Sequence, residues 1–314
     1  MEQISFNHIS VLLDETVSGL NLKPGAVVVD GTMGYGGHSE EVLRRLNGTG
    51  RVICIDQDAD AIAAATKRLE PYQEQLTIVR SNYVDMPIVL DTLGIDQVDG
   101  ILLDLGVSSP QLDDGSRGFS YMADAPLDMR MNGEDTLTAH DVVNTWSQEE
   151  LKRILYDYGE ERFAPQIAAA ICRRRAEKPI ETTLELVDVI RGAMPASALR
   201  EKQHPAKRSF QAIRIAVNDE LGSVERVMKD AIPCLNPGGR LAVITFHSLE
   251  DRIVKSAMAD AAKGCTCPPS FPVCVCGKKP RVKLVTRKPI TASDAELIRN
   301  PRARSAKLRI CEKL

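Results

Sequence analysis

The 314-residue chain reads as an α/β protein, a doubly wound parallel sheet interrupted by an all-helical insert. Three observations predict this. Short apolar strands alternate with helical stretches at Val27–Asp30, Arg51–Asp56, Leu76–Val79 and Val98–Asp104. From about residue 113 to 205 the strand pattern stops and only helical signatures follow. The alternation then resumes with Arg240–Phe246. The chain thus divides into a sheet domain over 1–112 and 206–314 and an inserted helical domain over 113–205.

Residues 5–20 form a lead-in and a helix packed on the sheet edge, and Lys23-Pro24-Gly25 turns into the first strand. That strand ends in Asp30, and glycines follow at 31, 34, 36 and 37. A helix begins at about Glu40, with Ser39 as its expected N-cap. Strand, glycine turn and helix together present a nucleotide-like ligand at a helix N-terminus. The glycines do not fall in the G-x-G-x-x-G spacing that cradles a pyrophosphate. An acid immediately before the turn suits a ligand carrying a sulfonium and an ammonium, which describes S-adenosylmethionine.

The second strand also ends in an acid, Asp56, placed to accept hydrogen bonds from ribose hydroxyls or simply to cap the next helix. An acid there fits a dinucleotide and S-adenosylmethionine alike. Residues 58–70 show helical periodicity through Ile62, Ala65 and Leu69, with Pro71 just beyond. The third strand leads to Tyr83, which can lie along an adenine or pack half-buried. The fourth ends in Asp104, and Leu105–Gly115 follows as an irregular loop at the crevice mouth.

In the insert, Ser147-Gln148-Glu149-Glu150 carries a capping box before a helix with Leu151, Ile154 and Leu155 on its apolar face. Further helices cover 163–176 and 182–190. Arg173, Arg174, Arg175, Arg191, Arg200, Lys202, Lys207 and Arg208 form either a solvated face or a lid that contacts RNA. One long helix is expected over 209–231, then a Pro-Gly-Gly turn, the strand 240–246 and His247 at its carboxyl end. Arg281–Val285 and Lys307–Cys311 read as closing strands, with a short helix capped by Ser293 between them.

Hydrophobic residues make up 43% of the chain and charged residues 26%, ample for a core, and the net charge of −3 confines any nucleic-acid surface to a local patch. No apolar run approaches the roughly 20 residues needed to span a bilayer, and Met1–Ser5 lacks signal-peptide features, so a cytoplasmic protein is expected. Eight cysteines then stand as thiols or metal ligands rather than disulfides. Cys265, Cys267, Cys274 and Cys276 form two C-x-C pairs, either a tetrahedral zinc site or reduced thiols without metal. Cys54, Cys172, Cys234 and Cys311 read as small apolar residues.

Several blocks match one family. They are Asp30-Gly31-Thr32-x-Gly34-x-Gly36-Gly37-His38-Ser39, Asp104–Asp113, Arg117–Ser120, Pro126–Met131, Tyr158–Phe163, Phe246–Arg252 and Asn300–Ser305. Nearly the whole chain resembles the MraW family, the bacterial ribosomal small-subunit methyltransferases of type H. The resemblance implies a Rossmann-like class I methyltransferase sheet interrupted by a helical substrate-recognition domain. It implies methyl transfer from S-adenosylmethionine to the exocyclic N4 of one cytidine in the decoding region of 16S ribosomal RNA. The cofactor contacts it implies are Gly36, Gly37, His38, Asp56, Tyr83, Asp104 and Gln111. Its partner is 16S ribosomal RNA within the small subunit, with no membrane and with a homodimer left open.

Amino-methyltransferases place a polar residue and a proline carbonyl against the amino hydrogens of the target base. Ser109-Pro110 is the nearest equivalent here, although no aromatic follows it. Phe119 or Tyr121 is then the candidate for stacking on the base, and His247 contacts RNA or caps its helix. Three other readings share features of this chain. A dinucleotide-dependent oxidoreductase requires the missing glycine spacing, and a non-catalytic RNA-binding assembly protein predicts no cofactor. A DNA cytosine-N4 methyltransferase differs only in substrate.

Overall fold

The computed structural model describes residues 9–108, 111, 114–265, 267, 273 and 275–314. The chain divides into two compact units, Met1–Gly106 with Leu221–Leu314, and Val107–Glu220.

The first unit is built on a seven-stranded sheet of order β3-β2-β1-β4-β5-β7-β6. Its strands are β1 Val27–Asp30, β2 Arg51–Asp56, β3 Leu76–Arg80, β4 Val98–Asp104, β5 Leu235–Thr245, β6 Val282–Leu284 and β7 Lys307–Lys313. The first five are parallel, and β7 runs antiparallel to both β5 and β6. The chain winds outward from β1 to β3, then returns to place β4 on the other side of β1. The crevice of a doubly wound sheet opens at that switch point, at the carboxyl ends of β1 and β4.

The strands are apolar without alternation because both faces are covered. Val29, Ile53, Ile55, Ile101, Leu103, Leu241 and Val243 join one core. Their neighbours Val28, Val52, Cys54, Leu102, Ala242 and Ile244 join the other, as the period-2 geometry of a strand requires. The first core is closed by α4 Met86–Thr92, α10 Glu220–Asp230 and α11 Ser248–Ala262. The second is closed by α1 Leu13–Gly19, α2 Gly37–Leu46 and α3 Ala59–Arg68. On the closing strands, the Arg309 guanidinium pairs with Asp251 of α11 at 2.6 Å, and Lys307 adds a 3.2 Å bond.

The second unit is helical: α5 Ala139–Thr145, α6 Gln148–Asp157, α7 Ala164–Glu177, α8 Thr183–Ala193 and α9 Lys207–Asn218. Phe210 and Ile213 of α9 pack with Leu151, Ile154 and Ile171 in this unit's own core. The compact helical unit runs from Val107 to Glu220 and includes α9, beside an expected insert of 113–205. The single helix expected over 209–231 is also two, because Asp219 between α9 and α10 turns left-handed with φ 45°. Aspartate is among the few residues that tolerate that turn, so neither Gly nor Pro marks it.

Candidate active site

The strand ends of the first unit gather acids around the glycine turn. Asp30 closes β1 and is 1% exposed. The Ser39 hydroxyl donates to its Oδ2 at 2.6 Å and the Thr32 amide to its Oδ1 at 3.2 Å. Burial pushes its carboxyl up to about 6; the Ser39 and Thr32 bonds partly offset that rise, and repulsion from Asp56 adds to it. Ser39 is thus not the helix cap that was expected. Helix α2 begins one turn earlier, with Gly36 in the N-cap position at φ 78°, which frees Ser39 to hold Asp30. A side chain at Gly36 would be strained by that φ and would press on Leu69 at 3.1 Å. A Cβ at Gly37 would lie 2.0 Å from the Ser10 hydroxyl.

Asp56 ends β2. Its Oδ2 accepts the Gly34 amide at 2.7 Å and its Oδ1 the Asp58 amide at 2.9 Å. It thereby pins the glycine turn, and the Gln57 amide adds a further bond to the carboxyl. The cap of α3 is Asp58, whose side chain accepts from the Asp60 amide at 3.0 Å. Burial raises the Asp56 carboxyl despite the amide bonds. Tyr83, half-buried after β3, packs against the first core, and its Cβ would lie 3.2 Å from any Cβ at Gly31.

Asp104 closes β4. Its amide donates to the Thr32 hydroxyl at 2.6 Å, which ties β4 to the glycine turn. Its side chain is 25% exposed. Its Oδ1 atom is buried without a hydrogen-bond partner. Burial, then the nearby charges of Asp30 and Glu250, push the carboxyl up to about 8. His38 faces it from α2. The His38 Nε2–H donates to the Val11 carbonyl at 3.0 Å, which leaves Nδ1 at 3.8 Å from Asp104 Oδ2. This set is short of positive charge and holds an orphaned acceptor. A cationic ligand with amine and hydroxyl donors, such as S-adenosylmethionine, fits it; a pyrophosphate does not.

The sequence reading passed over Thr32 and Glu250. Glu250 Oε2 accepts the Phe246 amide at 2.8 Å and the His247 amide at 3.3 Å, closing the end of β5. His247 caps α11, its Nδ1 accepting from the Glu250 amide at 3.4 Å. Ser248 is the first helical residue. The H-x-x-E spacing was the available signal.

In the second unit, Gln111 is buried and pairs reciprocally with Ser108. Its Oε1 accepts the Ser108 amide at 3.0 Å, and its own amide donates to the Ser108 hydroxyl at 3.4 Å. Ser109 and Pro110 lie outside the described residues. Phe119 is 5% exposed inside the helical core, so it is not available to stack on a base, contrary to expectation. Tyr121 stacks on His204 with ring centroids 4.6 Å apart. The expected basic lid is also smaller than its residue list. Arg175 donates to the carbonyls of Val143 at 2.7 Å and Trp146 at 2.6 Å, a structural role. Arg174 bonds the Lys178 carbonyl and Arg208 that of Glu160. Arg173, Arg191, Arg200, Lys202 and Lys207 are exposed.

Cys265, Cys267 and Cys276 bring their sulfurs within 4.8 Å of one another. Cys274 lies outside the described residues. Among the described residues no helix is long and apolar enough to cross a membrane.

A doubly wound sheet that meets its ligand with strand-end carboxylates rather than a phosphate-binding glycine loop is the architecture of the S-adenosylmethionine-dependent methyltransferases. Residues 5–314 match the MraW methylase family, and the chain belongs to it. A relative from Brevibacillus brevis is 54% identical over 100% of both chains. One from Lachnospira eligens is 57% identical over 99% of each, and one from Symbiobacterium thermophilum 56% identical over 99% of this chain and 98% of its own. Each of the three is named ribosomal RNA small subunit methyltransferase H.

Proposed function

We propose that this chain methylates the exocyclic N4 of a cytidine in the decoding region of 16S ribosomal RNA, within the small ribosomal subunit. The relatives' names support the substrate class, and the motif resemblance supports the choice of atom. The observation that carries the cofactor assignment is Asp104, a strand-end carboxyl with one buried, unpartnered oxygen beside the glycine turn.

The cofactor supplies a methyl group activated by its sulfonium. Gly36 and Gly37 let the α2 N-terminus come close to it. Asp56 would hold the ribose hydroxyls through its remaining acceptor capacity, and Tyr83 would hold the adenine. Asp104, oriented by Thr32 and faced by His38, would offset positive charge on the donor, and the motif resemblance assigns Gln111 to the cofactor as well. Cytosine N4 is a weak nucleophile because its lone pair is delocalised into the ring, so most of the rate comes from in-line positioning. Accepting a methyl group from the cofactor would leave N4 positively charged. The Ser109 hydroxyl and the Pro110 carbonyl then accept from its hydrogens before one proton leaves. The exposed cations Arg173, Arg191, Arg200, Lys202 and Lys207 contact RNA phosphates, and the reaction takes place in the cytoplasm.

The test is transfer of labelled methyl to unmethylated small subunits, naked 16S RNA and duplex DNA in parallel, with nucleosides identified by mass spectrometry. N4-methylcytidine from small subunits is the expected product. Label confined to DNA overturns the substrate assignment, and failure to bind the cofactor overturns the site.

A further inference from the structure

The loop between α11 and β6 carries Cys265, Cys267 and Cys276 at the surface, away from the strand-end acids. We propose that these three residues ligate a zinc ion as thiolates, and that the metal holds the loop in its fold.

The geometry is that of a metal site. Four sulfurs around tetrahedral zinc, each about 2.3 Å from the metal, stand about 3.8 Å apart. Cys276 Sγ and Cys265 Sγ are 3.7 Å apart. A disulfide would bring them to about 2.05 Å. Two backbone amides point at the sulfurs, that of Cys267 at Cys265 Sγ and that of Val275 at Cys267 Sγ, both at 3.4 Å. Such amide donors orient the sulfurs, as outer-shell hydrogen bonds orient the ligands of a metal.

Placement argues the same way. Cys54, Cys234 and Cys311 are buried, as cysteines serving as small apolar residues are, whereas Cys265 and Cys276 are exposed. Among its described residues the loop has little else to order it. Val273 and Val275 are 69% and 73% exposed, and no helix or strand occurs among its described residues between Ala262 and Val282. Its stem is closed by the protein: the Arg281 amide donates to the Ala261 carbonyl at 2.8 Å, and Pro280 Cδ would lie 3.3 Å from a Cβ at Gly264. Beyond that stem a metal cross-link supplies what a core would otherwise supply. Soft sulfur donors select zinc over magnesium or calcium.

Untagged full-length protein from zinc-supplied culture, passed through metal-free buffer, should carry about one zinc per chain by elemental mass spectrometry. Cobalt exchange should give a thiolate-to-cobalt charge-transfer band with the visible bands of a tetrahedral ion. Cys267→Ser and Cys276→Ser should each lose the metal, while Cys172→Ser keeps it and all three keep S-adenosylmethionine binding. Removing zinc should speed tryptic cleavage after Lys278 by about tenfold. Wild-type protein without zinc, or both loop variants retaining a full equivalent, would overturn the proposal. So would equal cleavage of the metal-loaded and stripped forms.

Discussion

Replacing Asp104 with asparagine should make the cofactor-free protein more stable while weakening its hold on S-adenosylmethionine. The carboxyl, ordinarily at 3.8, is pushed up to about 8 by burial and by Asp30 and Glu250. At about 1.36 kcal/mol per pH unit, ionising it in the fold costs about 6 kcal/mol as a ceiling. Because 25% of the side chain is exposed, solvent reduces the expected figure to about 2–3 kcal/mol. A carboxyl with a folded-state pKa above its unfolded value favours the fold when protonated. That advantage is whole below about pH 4 and is lost as pH rises through about 8. An amide of the same shape removes the dependence. Asp104→Asn should therefore unfold about 5–10 °C higher than wild type at pH 8.5 without cofactor. It should bind S-adenosylmethionine about 30–100-fold more weakly, the loss of one charge-assisted contact. Wild-type affinity should rise with pH up to about 8, because binding draws off the Asp104 proton; the variant's should not. Thermal melts and calorimetric titrations across this pH range read both effects. A variant less stable than wild type at pH 8.5, or wild-type affinity unchanged between pH 6 and 8.5, would refute the reasoning.

Arg309→Ala should lower urea-unfolding stability by about 3 kcal/mol, since it strands the buried Asp251 carboxylate with Lys307 alone. Burial opposes the Asp251 charge, but the Arg309 and Lys307 bonds outweigh it and hold the carboxyl low. This contribution is present above the ordinary carboxylate range and fades as pH falls below it, so an acid titration should show wild type and variant converging. Gly36→Ala should lower the melting temperature by an amount equivalent to about 1–2 kcal/mol, from the left-handed φ and the Leu69 contact. Arg175→Ala should destabilise by about 1–3 kcal/mol through its two lost carbonyl bonds and leave RNA affinity unchanged by filter binding. Arg173→Ala should do the reverse, lowering RNA affinity and the salt slope with no change in melting temperature.

All seven strands were legible because a sheet covered on both faces writes itself as short apolar runs, and an acid closes three of them at Asp30, Asp56 and Asp104. What the sequence hid was decided by tertiary packing. Ser39 has the residue type of an N-cap, but Gly36 takes the cap position and Ser39 turns inward to Asp30. The break at Asp219 carries no glycine or proline. The extension of β5 back to Leu235 runs through Pro237 and Gly238, residues that ordinarily end strands, and its pairing with β4 shifts register there. Helix α5 was missed although Thr138 and Asp141 form a capping box ahead of it. Charge counting overstated the basic lid, because Arg175 spends its guanidinium on backbone carbonyls. The site residues of the first unit could be found as strand-end acids and glycines. Glu250 was legible through the H-x-x-E capping spacing, whereas Thr32 was not, because its role is a bond to the backbone amide of Asp104 from elsewhere in the fold.

The most direct test of the central claim is nucleoside analysis of small-subunit RNA from a bacterial host deleted for its own member of this family. Supplying this chain should restore N4-methylated cytidine at the decoding region, and supplying its Asp104→Ala variant at equal abundance should not. Decoding-region cytidine left unmodified by the wild-type chain, or restored equally by the variant, would contradict the account.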